Sequence, residues 1–298
     1  MRKQLKGSAF LLLATFIWGT TFIAQSTDLA MTNPFSFQAV RCFLAVIGLI
    51  PVTFLFDKKE GRNFQKEWRN PKLWKAGLLC GIPLFLACNL QQLGIGYTSA
   101  GKAAFLTAMY IVLVPVLGLA LGRKITFMVP VSVAIAVVGL YFLSFVGVER
   151  INIGDVLLLG CALMFAVQIQ AVDRFAPQVD PLRLNCLQAL VCAVGSAVIA
   201  FFAEEISLSG LLAGWFPLCY AGFLSMGLAY SLQILGQKHL EPTAASLIMS
   251  LESVFAVLAG WLLLSETLAP QEALGCVLMF VAVILSQIPV PQREGKTK

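Results

Sequence analysis

Ten apolar runs, each close to the length a helix needs to cross a bilayer, fill most of the 298-residue chain. They fall at roughly residues 7–26, 35–56, 74–95, 102–121, 126–146, 154–172, 182–203, 211–234, 243–264 and 271–289. In hydrocarbon no water can bond a free N–H or C=O, so runs of this length must be helices. The gaps are short and hold turn formers such as Asn33-Pro34, Asp180-Pro181 and Glu241-Pro242. The longest, Asp57 to Asn70, is charged and polar and too short for a soluble domain. The fold class expected is therefore all-α, a polytopic membrane protein of ten transmembrane helices. Charged residues make up 12% of the chain, about half the share of a soluble domain. That excludes soluble-enzyme and nucleic-acid-binding classes. The first run follows Arg2, Lys3 and Lys6 like a signal peptide, but it lacks a small-x-small cleavage site and is read as a retained helix.

Basic residues set the expected orientation. With the N-terminus inside, eighteen of the 21 Lys and Arg residues fall on the inner side. Lys102 and Arg150 fall outside, and Arg41 lies in the membrane. Both termini are therefore expected in the cytoplasm, with the chain multi-pass in a bacterial inner membrane.

The two halves repeat. Residues 7–24 align with 154–171: Gly7 meets Gly154, Leu11-Leu12 meet Leu158-Leu159, and Ala24 meets Ala171. The same offset pairs Pro34 with Pro181, and Leu90-Gln91-Gln92-Leu93-Gly94 matches Leu232-Gln233-Ile234-Leu235-Gly236. Repeat 1 spans 7–146 and repeat 2 spans 154–289. Five helices per half is an odd number, so the second half enters the membrane from the opposite side. Such an inverted repeat is a common plan of secondary transporters, whose halves rock about a central site.

Over essentially its whole length the chain resembles the EamA family of the drug/metabolite transporter superfamily. The resemblance rests on Trp18-Gly19 in the first helix and Gly96-Tyr97-Thr98-Ser99-Ala100 before the fourth. Ser250-Leu251-Glu252 in the ninth and Ser265-Glu266-Thr267-Leu268 after it complete the set. The chain departs from the usual family pattern at Ser253, where Pro is common, and it has Arg123-Lys124 where the second half has Glu266-Thr267. The resemblance implies a ten-helix transporter of the kind that often exports amino acids or other small metabolites.

The candidate substrate-binding residues are Trp18, Arg41, Gln91, Gln168, Tyr230, Gln233 and Glu252. Glu252 is the one carboxylate in an apolar stretch, Thr243 to Ser265. A charge at that depth costs at least ~2.5 kcal/mol on insertion scales, which makes it a functional-site hypothesis with inter-helix tethering as the alternative. It could bind a substrate amine or carry a coupling proton. Arg41, about six residues into the second helix, could hold a carboxylate in a bidentate way or pair with Asp28. Gln91 and Gln233 are repeat mates, and with Gln168 they either line a wet cavity or bond between helices. Trp18, whose mate is Phe165, and Tyr230 are candidates for an aromatic wall, with Tyr97 and Tyr110 beside them. Glu266 is read as structural.

The eight cysteines all lie in apolar runs without a CxxC pair and read as packing residues; the single His239 cannot build a metal site. The spacings Gly77/Gly81, Gly118/Gly122 and Gly210/Gly214 read as close packing within one chain, and Pro83, Pro115 and Pro217 as candidate kinks. No HExxH, GxSxG or His cluster supports an enzyme, and no cofactor is implied. No nucleotide-binding loop exists, so ATP does not drive transport directly. The expected function is a secondary transporter that exports a small polar metabolite, an amino acid or related compound, with the bilayer and possible proton coupling as its setting. A multidrug or amphipathic-cation exporter, or a non-transporting receptor, is the alternative.

Overall fold

The computed structural model describes residues 2–28, 33–97, 100–123, 126–144, 152–263 and 269–286, and every regular element among them is helical. The first half contains α1 (Arg2–Asp28), α2 (Pro34–Glu60), a short α3 (Phe64–Trp68), α4 (Pro71–Ile95), α5 (Ala100–Ala108), α6 (Tyr110–Ala120) and α7 (Met128–Ser144). The second contains α8 (Ile153–Phe175), α9 (Pro181–Ala203), α10 (Leu208–Ala213), α11 (Trp215–Cys219), a π-helical segment (Tyr220–Ala229), α12 (Tyr230–Gln237), α13 (Pro242–Met249), α14 (Glu252–Leu263) and α15 (Pro270–Ser286). Seven stretches are long and apolar enough to cross a membrane; α7 and α15 are shorter apolar helices. With α1 they make the ten crossings of a polytopic helical membrane protein.

The turn formers of the sequence are helix starts. Pro34, Pro71, Pro181 and Pro242 each open a helix, where a missing N–H costs nothing. Asn70 and Asp180 cap two of these helices by accepting from Lys72 N and Arg183 N, and α8 opens with a reciprocal Asn152–Asp155 capping box. The gap read from 57 to 70 is largely helix: α2 runs on to Glu60 and ends at Gly61, whose φ of 67° suits glycine, and α3 follows.

Three crossings are interrupted. The fourth breaks at Met109 and the ninth at Ser250-Leu251. At both breaks the ladder tightens to three-residue bonds, Met109 N to Leu106 O and Leu251 N to Ile248 O. The eighth turns π-helical over Tyr220–Ala229. Pro83 and Pro115 lie inside α4 and α6, which continue past them, so the interruptions fall elsewhere.

Packing follows the repeat. α2 lies against α9 and α7 against α15, each helix meeting its own mate. α4 packs on α8 as α12 packs on α1, and α1 packs on α14 as α8 packs on α6. Small residues bring the backbones together. A β-carbon on Gly7 would stand 2.9 Å from Gly236 O, and one on Gly154 would stand 2.9 Å from Gly94 O, the mate contact. Gly77 and Gly81 press on Leu187 and Val191 of α9, so that spacing packs inside the chain.

The halves are tied at both ends of the α2–α9 pair. At the lysine- and arginine-rich end, the buried Arg183 pairs with the buried Asp57 and with Asp180. Arg62 bridges Asp57, Glu60 and Asp180, and the Trp68 ring lies 5.9 Å from the Arg183 guanidinium. Nearby, Arg123 of the first half pairs with Asp173 and Glu241 of the second. At the opposite end, the Glu204 carboxylate accepts from Phe35 N, Ser36 N and Ser36 Oγ and so caps α2. Thr98, Ser99, Lys124, Arg150 and Ser265–Leu268, including Glu266, lie outside the described residues, as do the side chains of Asp28 and Lys102.

Candidate functional site

A cavity sits between the two largest apolar clusters, both of which pack against Trp18 and Phe165. Its empty space, the opening to solvent included, is about 520 Å³. The structure brings all seven sequence candidates to its wall: Trp18, Arg41, Gln91, Gln168, Tyr230, Gln233 and Glu252. Tyr110 and Phe165 join them, with Ile169, Ser225 and Met249.

The wall is built of repeat mates. Trp18 meets Tyr230 edge-on at 4.9 Å, and its mate Phe165 meets Tyr110 at 6.3 Å, so each face of the aromatic clamp joins one ring from each half. Gln91 and Gln233 face the cavity from mated helices. Glu252 is the first residue of α14, so its carboxylate sits at a helix N-terminus, where partial positive charge favours an anion. Tyr110 OH donates to Glu252 Oε1 over 3.4 Å, a long bond that leaves the carboxylate weakly held.

Arg41 is 4% exposed, yet it donates no hydrogen bond and joins no ion pair among the described residues. Its guanidinium lies 5.9 Å from the centre of the Phe37 ring. Among the described residues, Trp18 Nε1 and Arg41 Nε are buried donors without a partner, and Gln233 Oε1 is a buried acceptor without one. Buried polar groups in native proteins are almost always satisfied, so these three atoms on the cavity wall are available to a polar guest.

The other amides divide. Gln168 Nε2 donates to Gln188 Oε1, and Gln233 Nε2 donates to Gln168 Oε1 and Gln237 Oε1. Gln188 Nε2 donates to Asn185 Oδ1, whose Nδ2 donates to Met226 O, Gly227 O and Ser231 Oγ. Gln168 and Gln233 thus both line the cavity and bond between helices. Asn185 and Gln188 only bond, and Asn89 is held by Phe85 O and Ser196 Oγ. Tyr97 is exposed at the end of α4, and its carbonyl accepts from Asn152 Nδ2, away from the cavity. Ile169, Ser225 and Met249 carried no signal, because small or apolar residues in an apolar run look alike whether they face lipid, core or cavity.

A helical membrane protein of mated halves enclosing a polar cavity has the architecture of a membrane transporter. The sequence matches the EamA-like transporter family over residues 5–145 and again over 152–287, and the chain belongs to that family. It is 33% identical over 292 residues to an uncharacterised transporter of Archaeoglobus fulgidus, covering 97% of this chain and 88% of the relative. It is 28% identical to the threonine/homoserine exporter RhtA of Escherichia coli K12, covering 87% and 83%. A solved crystal structure shares the fold with a TM-score of 0.78 at 16% identity, over 94% of this chain and 96% of the other. The protein is a transporter and not an enzyme.

Proposed function

We propose that the chain is a secondary exporter of a small zwitterionic metabolite, an amino acid or close relative, working by alternating access between residues 7–146 and 154–289. The observation that carries this reading is Arg41, without an ion pair among the described residues, facing the same cavity as Glu252. A buried cation without a counter-ion is costly, and a substrate carboxylate supplies one in bidentate geometry. The substrate ammonium goes to Glu252 and to Gln233 Oε1, which is unbonded among the described residues, and the aromatic clamp covers the carbon skeleton. The relative named as a threonine/homoserine exporter supports the amino-acid class. An aromatic wall around a carboxylate also suits an amphipathic cation, but the Arg41 charge opposes that guest.

The charge distribution puts both termini in the cytoplasm. Glu252 is the group at membrane depth that can carry a coupling proton when no substrate amine occupies it. The test is counterflow of labelled amino acids in proteoliposomes, wild type beside Glu252→Gln. Exchange by the wild type, lost or uncoupled from protons in a variant that still reaches the membrane, is the expected result. Normal proton-coupled flux in the variant overturns the role of Glu252.

A further inference from the structure

A second, larger groove of about 1,270 Å³ opens at the lysine- and arginine-rich end, between α4 and α6 of the first half and α8 of the second. Its mouth carries Lys72, Lys75 and Arg174, all exposed. Its lining also includes the apolar Leu79, Leu121 and Val167, of which Leu79 and Leu121 are exposed. Orientation alone would place cations on this side of the membrane, but these three converge on one groove. Arg62, Arg123 and Arg183 are matched by carboxylates, whereas Lys72, Lys75 and Arg174 join no ion pair among the described residues. One turn deeper, Gln170 donates Nε2 to Val114 O, while its buried Oε1 has no partner among the described residues. The groove therefore offers three cations at its mouth and one acceptor below them, none of them paired among the described residues.

We propose that this groove is a binding site for an anionic glycerophospholipid of the cytoplasmic leaflet. The phosphodiester is held by Lys72, Lys75 and Arg174, and an acyl chain lies along Leu79, Leu121 and Val167. Clustered cations beside an apolar cleft match a phospholipid in both charge and shape. A hydroxyl or a water brought in with the headgroup satisfies Gln170 Oε1. Because the groove joins the two halves beside the Arg123–Asp173 pair, the bound lipid favours the arrangement in which α4, α6 and α8 are together. The leaflet, though not the chemistry, rests on the proposed orientation.

The test is native mass spectrometry of the purified protein titrated with phosphatidylglycerol, phosphatidylcholine and glycerol phosphate. The wild type should bind one phosphatidylglycerol in preference to phosphatidylcholine, and glycerol phosphate, which lacks acyl chains, should not compete. One cation near an anionic headgroup is worth about fivefold in affinity, so Lys72→Gln/Lys75→Gln/Arg174→Gln should weaken phosphatidylglycerol binding roughly a hundredfold. Phosphatidylcholine binding should be unchanged. Lys58→Gln/Lys59→Gln, on the same face but outside the groove, should lose less than about threefold. If the triple variant does not purify, Lys75→Glu alone reverses one exposed charge and should lose about 25-fold. Equal binding by the groove variants, an equal loss in the Lys58/Lys59 control, or full competition by glycerol phosphate overturns the proposal.

Discussion

Replacing Arg41 by glutamine gives the first half the side chain that the second half already carries at the mate position, Gln188. The change separates a binding cation from a structural one. If Arg41 waits for a substrate carboxylate, its removal takes away charge-assisted hydrogen bonds worth about 1.5–3 kcal/mol. That corresponds to a ~10- to 150-fold loss of affinity. Stability should hold or rise, because a guanidinium that is 4% exposed and unpaired among the described residues is a desolvated charge with no return. The assay is competition of counterflow by an amino acid and by its carboxyl ester, which lacks the negative charge. Wild type should prefer the acid by about the same factor, and Arg41→Gln should bring the two close to parity, a double-mutant cycle between protein and ligand. Equal losses for acid and ester, or a lowered melting temperature, would refute the reasoning and make Arg41 structural.

Asn185→Leu should destabilise the protein by about 1–3 kcal/mol, read as a lower melting temperature in detergent, since it strips donors from Met226 O, Gly227 O and Ser231 Oγ. A wild-type melt would mean that the amide does not hold the π segment. Gly236→Val should cost about 1–3 kcal/mol through overpacking, because even a β-carbon there lies 2.7 Å from Leu11 Cγ and 2.9 Å from Gly7 O. Unchanged stability would contradict so close an approach of α1 and α12. A cysteine placed at the exposed Gln65 should react with an impermeant maleimide only from the cytoplasmic side, and labelling from outside would reverse the orientation.

The cavity wall was legible because polarity in an apolar run is rare and needs a reason. Glu252, Arg41, Gln91, Gln168 and Gln233 each stood out against hydrocarbon, and the repeat joined Gln91 to Gln233 and Trp18 to Phe165. The same signal did not separate Gln168, which faces the cavity, from Gln188 and Asn185, which face other helices, since both uses satisfy an amide at depth. The helix breaks left no mark. Residues 243–264 read as one unbroken span, yet Glu252 opens a new helix at a break after Met249, and the mated break at Met109 falls in an equally apolar stretch. Neither break has a proline or glycine to announce it; the tertiary setting decides. The partnering of Arg183 with Asp57 was equally hidden, because a basic residue near a membrane face satisfies the orientation rule whether it is solvated or buried.

The eighth crossing shows how one residue of extra length can shape a site within a repeated fold. Gly81 packs on Val191 and Gln188, and Gly222 packs on their mates Leu44 and Arg41. Farther along, Gly94 packs on Leu158, and Gly236 packs on its mate Leu11. Between the members of these pairs the second half holds one residue more than the first. An α-helix with one added residue would turn everything beyond it by about 100°, and one of the two glycine contacts would be lost. A π-helical stretch absorbs the residue in a wider turn, so both contacts survive. The widened turn loosens the backbone ladder, and Asn185 answers by bonding Met226 O and Gly227 O. Ser225 within the segment and Tyr230 just beyond it then face the cavity, where the first half offers Pro83 inside α4 and Cys88 near the Tyr230 hydroxyl. Matching glycines keep the halves superimposable at their contacts, while the inserted residue makes them chemically unequal at the centre, where a polar guest must be told from lipid.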